Sequence, residues 1–144
     1  MQYQRFQDTI AVRLDPGDEI CQSLAKVCQE QGILLGEISG LGAVRQVLLG
    51  AYKVADQTFY PLSLERELEM ASLTGTVTQQ EGKPYLHLHA VFGDETGAVF
   101  AGHLKSAVIG GTGEIMIRIL SGQIGRKNDP VTGLQIWDFT EEHP

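Results

Sequence analysis

Three of the four histidines in this chain of 144 residues, His87, His89 and His103, lie close together in the sequence. His87 and His89 are two residues apart in an apolar segment, so in a β-strand both side chains point to the same face of the sheet. His103 belongs to the next apolar segment. Imidazole nitrogens that converge from adjacent strands can bind a divalent metal ion, and this pattern therefore predicts a metal site.

The segments that carry the histidines predict a β-hairpin, because residues 85–92 and 98–104 are apolar and a glycine-bounded stretch separates them. If residues 93–97 form the loop, the cross-strand pairs are Phe92 with Ala98, His87 with His103, and His89 with Ala101. Directly opposed Cβ atoms lie roughly 4.5–5.5 Å apart, which suits two imidazoles that share one ion. A slip of one residue would move His103 to the other face.

The opposite face of the predicted hairpin is apolar, as expected for a strand pair that packs on a core. Its residues are Leu86, Leu88, Ala90, Phe92, Phe100 and Leu104. The alternative to a metal site is three ordinary, half-exposed histidines on one sheet face. We favour the metal site, because three histidines on one face repel one another when they are protonated.

Three neutral imidazoles leave the fourth tetrahedral position of a zinc ion open, and a water bound there can have its pKa lowered to about 7. Such a site could hydrolyse or hydrate a small molecule with the help of a general base. The first candidate for this base is Glu69 and the second is Glu67, on a segment expected to form a neighbouring strand. Whether the protein is an enzyme stays open from these residues.

Length and charge limit the classes of function. The chain predicts a single domain over residues 1–144, with a core at about residues 5–139. A net charge of −7 and a pI of about 5.0 argue against a nucleic-acid partner. The only basic cluster is Arg126 and Lys127, with Asp129 beside it. No apolar run is long enough for a membrane-spanning helix, so we expect a cytoplasmic location.

The pattern of apolar residues predicts one helix and many strands. The helix begins after the turn at residues 15–19 and runs to about Gln31, with Gly32 as its stop. Cys21 and Cys28 lie on its apolar stripe, which favours buried thiols over a disulfide or a metal role. Strands are predicted at residues 4–14, 33–39, 44–53, 67–78, 114–120 and 134–139, and residues 57–64 are expected to form a strand or a loop at Pro61. The predicted class is α+β, with a mainly antiparallel central sheet and one main flanking helix.

Four segments together resemble the plants and prokaryotes conserved (PPC) domain: residues 36–44, 68–75, 86–89 and 102–104. The resemblance covers about residues 13–119 and is to the bacterial stand-alone type with a three-histidine site. It implies an antiparallel sheet of about seven strands with flanking helices, a homotrimer, and a divalent metal, zinc by preference, on His87, His89 and His103.

The same resemblance leaves two other functions open, a DNA-binding or regulatory protein and a trimeric scaffold with a structural metal. Plant members carry a DNA-binding hook that this chain lacks, and Glu67 stands where those members have arginine. We therefore expect a metal-binding protein that acts on or binds a small molecule. The last residues, 141–144, are expected to form a solvated tail, which leaves His143 without a role.

Overall fold

A computed structural model of the protein describes residues 1–140; the predicted tail with His143 lies outside the described residues. Eight strands and one α-helix make up the fold. The strands are β1 Gln2–Phe6, β2 Thr9–Leu14, β3 Gly36–Lys53, β4 Thr58–Gln80, β5 Lys83–Gly93, β6 Val99–Ile119, β7 Gly125–Asn128 and β8 Gln135–Asp138, and the helix α1 is Ile20–Glu30. This is the predicted α+β class with a mainly antiparallel sheet.

Six strands form the main sheet in the order β1-β2-β6-β3-β4-β5, and β5 also pairs with β6. Strands β3, β4, β5 and β6 therefore form a closed ring of antiparallel pairings. Within residues 1–140, the strands β7 and β8 pair only with each other, as a separate ribbon. The resemblance implied about seven strands with flanking helices, whereas the sheet has six strands and the described chain has a single α-helix.

The long strands β3, β4 and β6 replace pairs of shorter strands that the sequence predicted. Bulges in the register, such as the one between Gly40 and Gly42, interrupt the pairing without ending the strand. A bulge bends a strand and increases its twist, so β6 can pair with β5 near its start and with β2 and β3 further along. The first predicted strand, at residues 4–14, is instead two strands in the structure, β1 and β2. The chain turns between them at Gln7, which has a φ of 54°.

The helix α1 forms where the sequence predicted it. The side chain of Glu19 caps its first turn by accepting hydrogen bonds from the backbone N–H groups of Cys21 and Gln22, and it also accepts one from Ala107 on β6. Gly32 follows the helix with a φ of 61°, which a residue with a side chain adopts less readily. The cap therefore holds the helix against the strand that carries His103.

One hydrophobic core lies between α1 and the sheet. Burial raises the pKa of the two helix thiols, Cys21 and Cys28, to about 12. Thiols with such pKa values stay protonated at neutral pH and are poor nucleophiles and metal ligands. Among the described residues, no helix is long and apolar enough to cross a membrane.

Strands β3 and β6 approach closely at Gly102, the residue before His103. A Cβ atom on Gly102 would lie 2.5 Å from the carbonyl oxygen of Gly50 on β3, which is closer than real Cβ atoms come. Only glycine therefore permits this approach of the two backbones.

We expect the substitution Gly102→Ala to lower the free energy of unfolding by about 1–3 kcal/mol, because the backbone of β3 must move to admit the methyl group. Urea denaturation followed by circular dichroism measures the loss. The matched control is Gly93→Ala in the same hairpin, where the nearest atom to a new Cβ is 3.9 Å away; its effect should stay within about 0.5 kcal/mol. Equal losses in the two variants would contradict this account.

Candidate metal centre

The three histidines come from two adjacent strands and share one face of the sheet. His87 and His89 lie on β5, and His103 lies on β6. His103 is paired with His89 on one side and with Gly50 of β3 on the other. Its position is therefore fixed by two strands at once.

The hairpin register differs from the predicted one by two residues. His103 lies opposite His89 and not opposite His87, and Ala101 lies opposite Val91 and not His89. Because side chains alternate with a period of two, a shift of two residues leaves every side chain on its predicted face. The predicted convergence of the histidines is thus correct, while the predicted pairs are wrong.

The cause of the shift is the turn around Asp94. Its Oδ1 atom accepts hydrogen bonds from the backbone N–H groups of Thr96 and Ala98, at 2.9 and 3.0 Å, and its own N–H donates to the carbonyl of Ala98. This aspartate-centred loop begins one residue later than predicted. Gly93 therefore remains in the strand, paired with Val99.

The imidazole rings lie against one another at the spacing that a shared ion requires. Ring centroids are 5.1 Å apart for His87 and His89, 5.2 Å for His87 and His103, and 5.5 Å for His89 and His103. One ring nitrogen from each lies within 4.8 Å of the other two. Since the imidazole χ2 angle is broad, side-chain rotation suffices to direct the three nitrogens at one ion.

Electrostatics keep two of these rings neutral. Burial lowers the pKa of His103 to about 4, and the charges of Lys105, His87 and His89 act in the same direction. Burial also lowers the pKa of His87, with further contributions from His89, Arg126 and Lys105. Neutral imidazole is the form that binds metal, so these two side chains are ready to bind an ion at neutral pH.

The histidines form part of the lining of a pocket of about 990 Å³. Its other walls come from the end of β3, the start of β4, and the ribbon of β7 and β8. Most of the lining is apolar or aromatic and includes Phe59, Tyr85, Ile136 and Trp137. Two cations, Lys105 and Arg126, also line the pocket. A concave, mostly apolar pocket with a few convergent polar groups is typical of a small-molecule site.

The structure does not bring Glu67 or Glu69 to the histidines. Both line a different pocket, beside Asp94 and Glu95. Glu69 is paired with Gly93, which is four residues from His89 and therefore about 13 Å further along β5 at the usual rise per residue. Among the described residues, no carboxylate lines the pocket of the histidines. Neither glutamate is placed to act as a general base there.

The contribution of the ribbon was not predicted from the sequence. Its strands have four residues each and no clear apolar alternation, so the sequence predicted only one strand in this region, at residues 134–139. The sequence signal that could have indicated this contribution was the basic cluster at Arg126 and Lys127, which was interpreted only in terms of surface charge. In the structure Arg126 lines the pocket and its guanidinium stacks on Tyr85, 4.6 Å from the ring centroid.

The chain belongs to the Plants and Prokaryotes Conserved (PCC) domain family, whose model matches residues 1–121. This confirms the resemblance on which the sequence prediction relied. No curated protein matches the chain.

Solved structures of similar proteins agree with the family. A metal-containing protein from Archaeoglobus fulgidus is 32% identical, with a TM-score of 0.86, over 94% of this chain and 96% of that one. A candidate DNA-binding protein from Bacteroides thetaiotaomicron is also 32% identical, with a TM-score of 0.93, over 96% of each chain. A plant- and prokaryote-conserved protein from Pyrococcus horikoshii is 27% identical, with a TM-score of 0.84, over 98% of this chain and 96% of that one.

In the metal-free protein, we expect His103 to protonate near pH 4, well below the usual value of about 6.5 for a histidine. Because the pKa of His103 is lower in the folded state than in the unfolded state, a fall in pH from about 6.5 towards 4 protonates the unfolded state first. The free energy of unfolding therefore decreases over this range, and above about pH 6.5 this loss is absent. A histidine titration by NMR measures the pKa directly. Protonation of His103 at pH 6.5 or above would contradict the burial that the structure shows.

Proposed function

We propose that this protein binds one zinc ion through His87, His89 and His103 and offers it to a small molecule that enters the adjoining pocket. The observation that carries the proposal is the convergence of three imidazole nitrogens within 4.8 Å at the wall of a mostly apolar pocket. The similar metal-containing protein from Archaeoglobus fulgidus supports the same conclusion.

The donor set favours zinc over harder cations. Magnesium and calcium prefer oxygen ligands, and among the described residues the pocket offers imidazoles but no carboxylate. When bound, a zinc ion on three imidazoles presents a fourth coordination position with Lewis-acid character. The chain's own contribution is to keep His87 and His103 neutral, to orient the three imidazoles from two strands and to surround the site with mostly apolar side chains.

Nucleic acid is not the partner that we propose, although one of the similar structures is a candidate DNA-binding protein. The net charge of −7 repels a phosphate backbone, and the two cations nearest the histidines lie in a pocket of small-molecule size. The cytoplasmic location stays a prediction from the sequence.

Zinc content tests the proposal directly. Protein purified without a nickel column and dialysed against zinc should hold about one ion per chain, as measured by elemental analysis. The double variant His87→Ala, His89→Ala should hold less than about a tenth of that, because one imidazole alone binds zinc weakly. The control is His143→Ala, the fourth histidine of the chain, and this variant should keep its zinc. Equal zinc in wild type and the double variant would refute the site.

We propose in addition that the protein assembles as a homotrimer, as the family resemblance implies. Leu41 on β3 and Met116 on β6 share an outward face of the sheet and are 53% and 49% exposed. Apolar side chains exposed in this way favour association with another protein surface. The histidines line a pocket to which neither residue contributes, so metal and assembly are separable in this proposal.

Light scattering should give a mass three times the chain mass of 15.7 kDa, with or without a chelator. The double variant Leu41→Lys, Met116→Lys should give a smaller mass, since charge at a buried interface is unfavourable. Val131→Lys is the control, because Val131 is 79% exposed in the loop between β7 and β8. A monomeric wild type would contradict the trimer, and dissociation by chelator would show that the metal is structural.

A further inference from the structure

Two cations lie in the lining of the histidine pocket, Arg126 from the ribbon and Lys105 from β6. Among the described residues, no carboxylate lines the same pocket. Both line the same pocket as the three histidines. The pocket is therefore locally positive in a protein whose net charge is −7.

The guanidinium of Arg126 is held in place by contacts on three sides. Its Nε donates a hydrogen bond to Thr78 Oγ1 at 3.0 Å, and its Nη1 donates to the carbonyl oxygen of Gln135 at 2.8 Å. The ring of Tyr85 lies beneath its plane. The side chain is thus fixed between the sheet and the ribbon.

The remaining nitrogen, Nη2, is buried and has no hydrogen-bond partner among the described residues. An unsatisfied buried donor is costly, and a charged one more so, which favours an acceptor on a water or a ligand beside it. Since Tyr85 is two residues from His87 on β5, the guanidinium that stacks on it lies on the histidine face of the sheet.

Lys105 offers a second positive charge to the same space. Its Nζ lies 5.0 Å from the centroid of the Phe59 ring, and Phe59 in turn lies edge-on to His103. The structure shows no ion pair for Lys105 within residues 1–140. The histidines, an aromatic wall and two cations therefore surround one volume.

We propose that the pocket binds a small organic anion, with its oxyanion group held by Arg126 and Lys105 and its apolar body packed against Phe59, Ile136 and Trp137. A guanidinium suits a carboxylate or phosphate group because its N–H donors match the geometry of two oxygens. This inference rests on the proposed function and names the ligand class of the same site. A negative ligand also offsets the repulsion between the two cations and a bound metal ion.

Trp137 is the chain's single tryptophan and lines the pocket, so its fluorescence reports binding without any assay of activity. The probe is phenylacetate, and phenylacetamide is its uncharged counterpart of nearly the same shape. Each is titrated into zinc-loaded and metal-free wild type. We expect phenylacetate to bind at least about 10-fold more tightly than phenylacetamide in the zinc-loaded protein, because charge-assisted hydrogen bonds are the stronger kind.

Arg126→Gln should remove most of this preference, and Arg126→Lys should restore only part of it, because lysine keeps the charge and loses the planar pair of donors. Lys105→Gln, an exposed substitution that leaves the ribbon in place, should weaken phenylacetate binding several-fold. The control is Arg45→Gln, which makes the same change in net charge at an exposed site. Circular dichroism and zinc content are measured for every variant.

Two outcomes would overturn the inference: equal affinity of wild type for the two probes, or a phenylacetate affinity that neither Arg126→Gln nor Lys105→Gln changes in folded, zinc-loaded protein. Failure of the metal proposal has a different signature, namely absence of zinc from wild type. A preference for phenylacetate that depends on Arg126 in metal-free protein would still support the anion site in that case.

Discussion

The candidate site depends on the double pairing of His103. This residue pairs in register with His89 of β5 and with Gly50 of β3, at the point where the ring of four strands closes. Backbone pairing fixes the distance between neighbouring strands at about 4.8 Å. The three imidazoles are therefore brought together by the sheet itself, and Gly102 allows the backbones of β3 and β6 to approach beside them.

Charge and burial both act on the histidines at the point where the ring of four strands closes. Partial burial lowers the pKa of His87 and of His103, so these rings are neutral donors in a protein at neutral pH. Arg126 and Lys105 add positive charge at the same place, which by itself disfavours a metal cation. The arrangement is consistent if the site binds metal and anion together, because each offsets the charge that the other meets. The ribbon of β7 and β8 matters in this account because it supplies Arg126 and the aromatic side of the pocket.

The sequence predicted the face of each histidine but not its partner across the hairpin. The face follows from the period of two along a strand, which a shift of two residues leaves intact, whereas the register depends on the hydrogen bonds of Asp94 in the loop.

The helix was predicted almost to its ends, because its apolar stripe and Gly32 are local signals. Strand lengths were predicted less well, since the bulges that let β3 and β4 continue depend on neighbouring strands. Glu69 was misjudged for a similar reason: its segment does pair with β5, but at the loop end, far from His89.

Anomalous diffraction at the zinc absorption edge tests the central claim most directly. Crystals of protein purified without a nickel column and supplied with zinc should show one strong peak per chain. We predict that this peak lies within about 2.0–2.1 Å of one nitrogen from each of His87, His89 and His103, the usual zinc–imidazole distance. A zinc-supplied crystal with no peak among these three side chains, or with zinc held by other residues alone, would contradict the account.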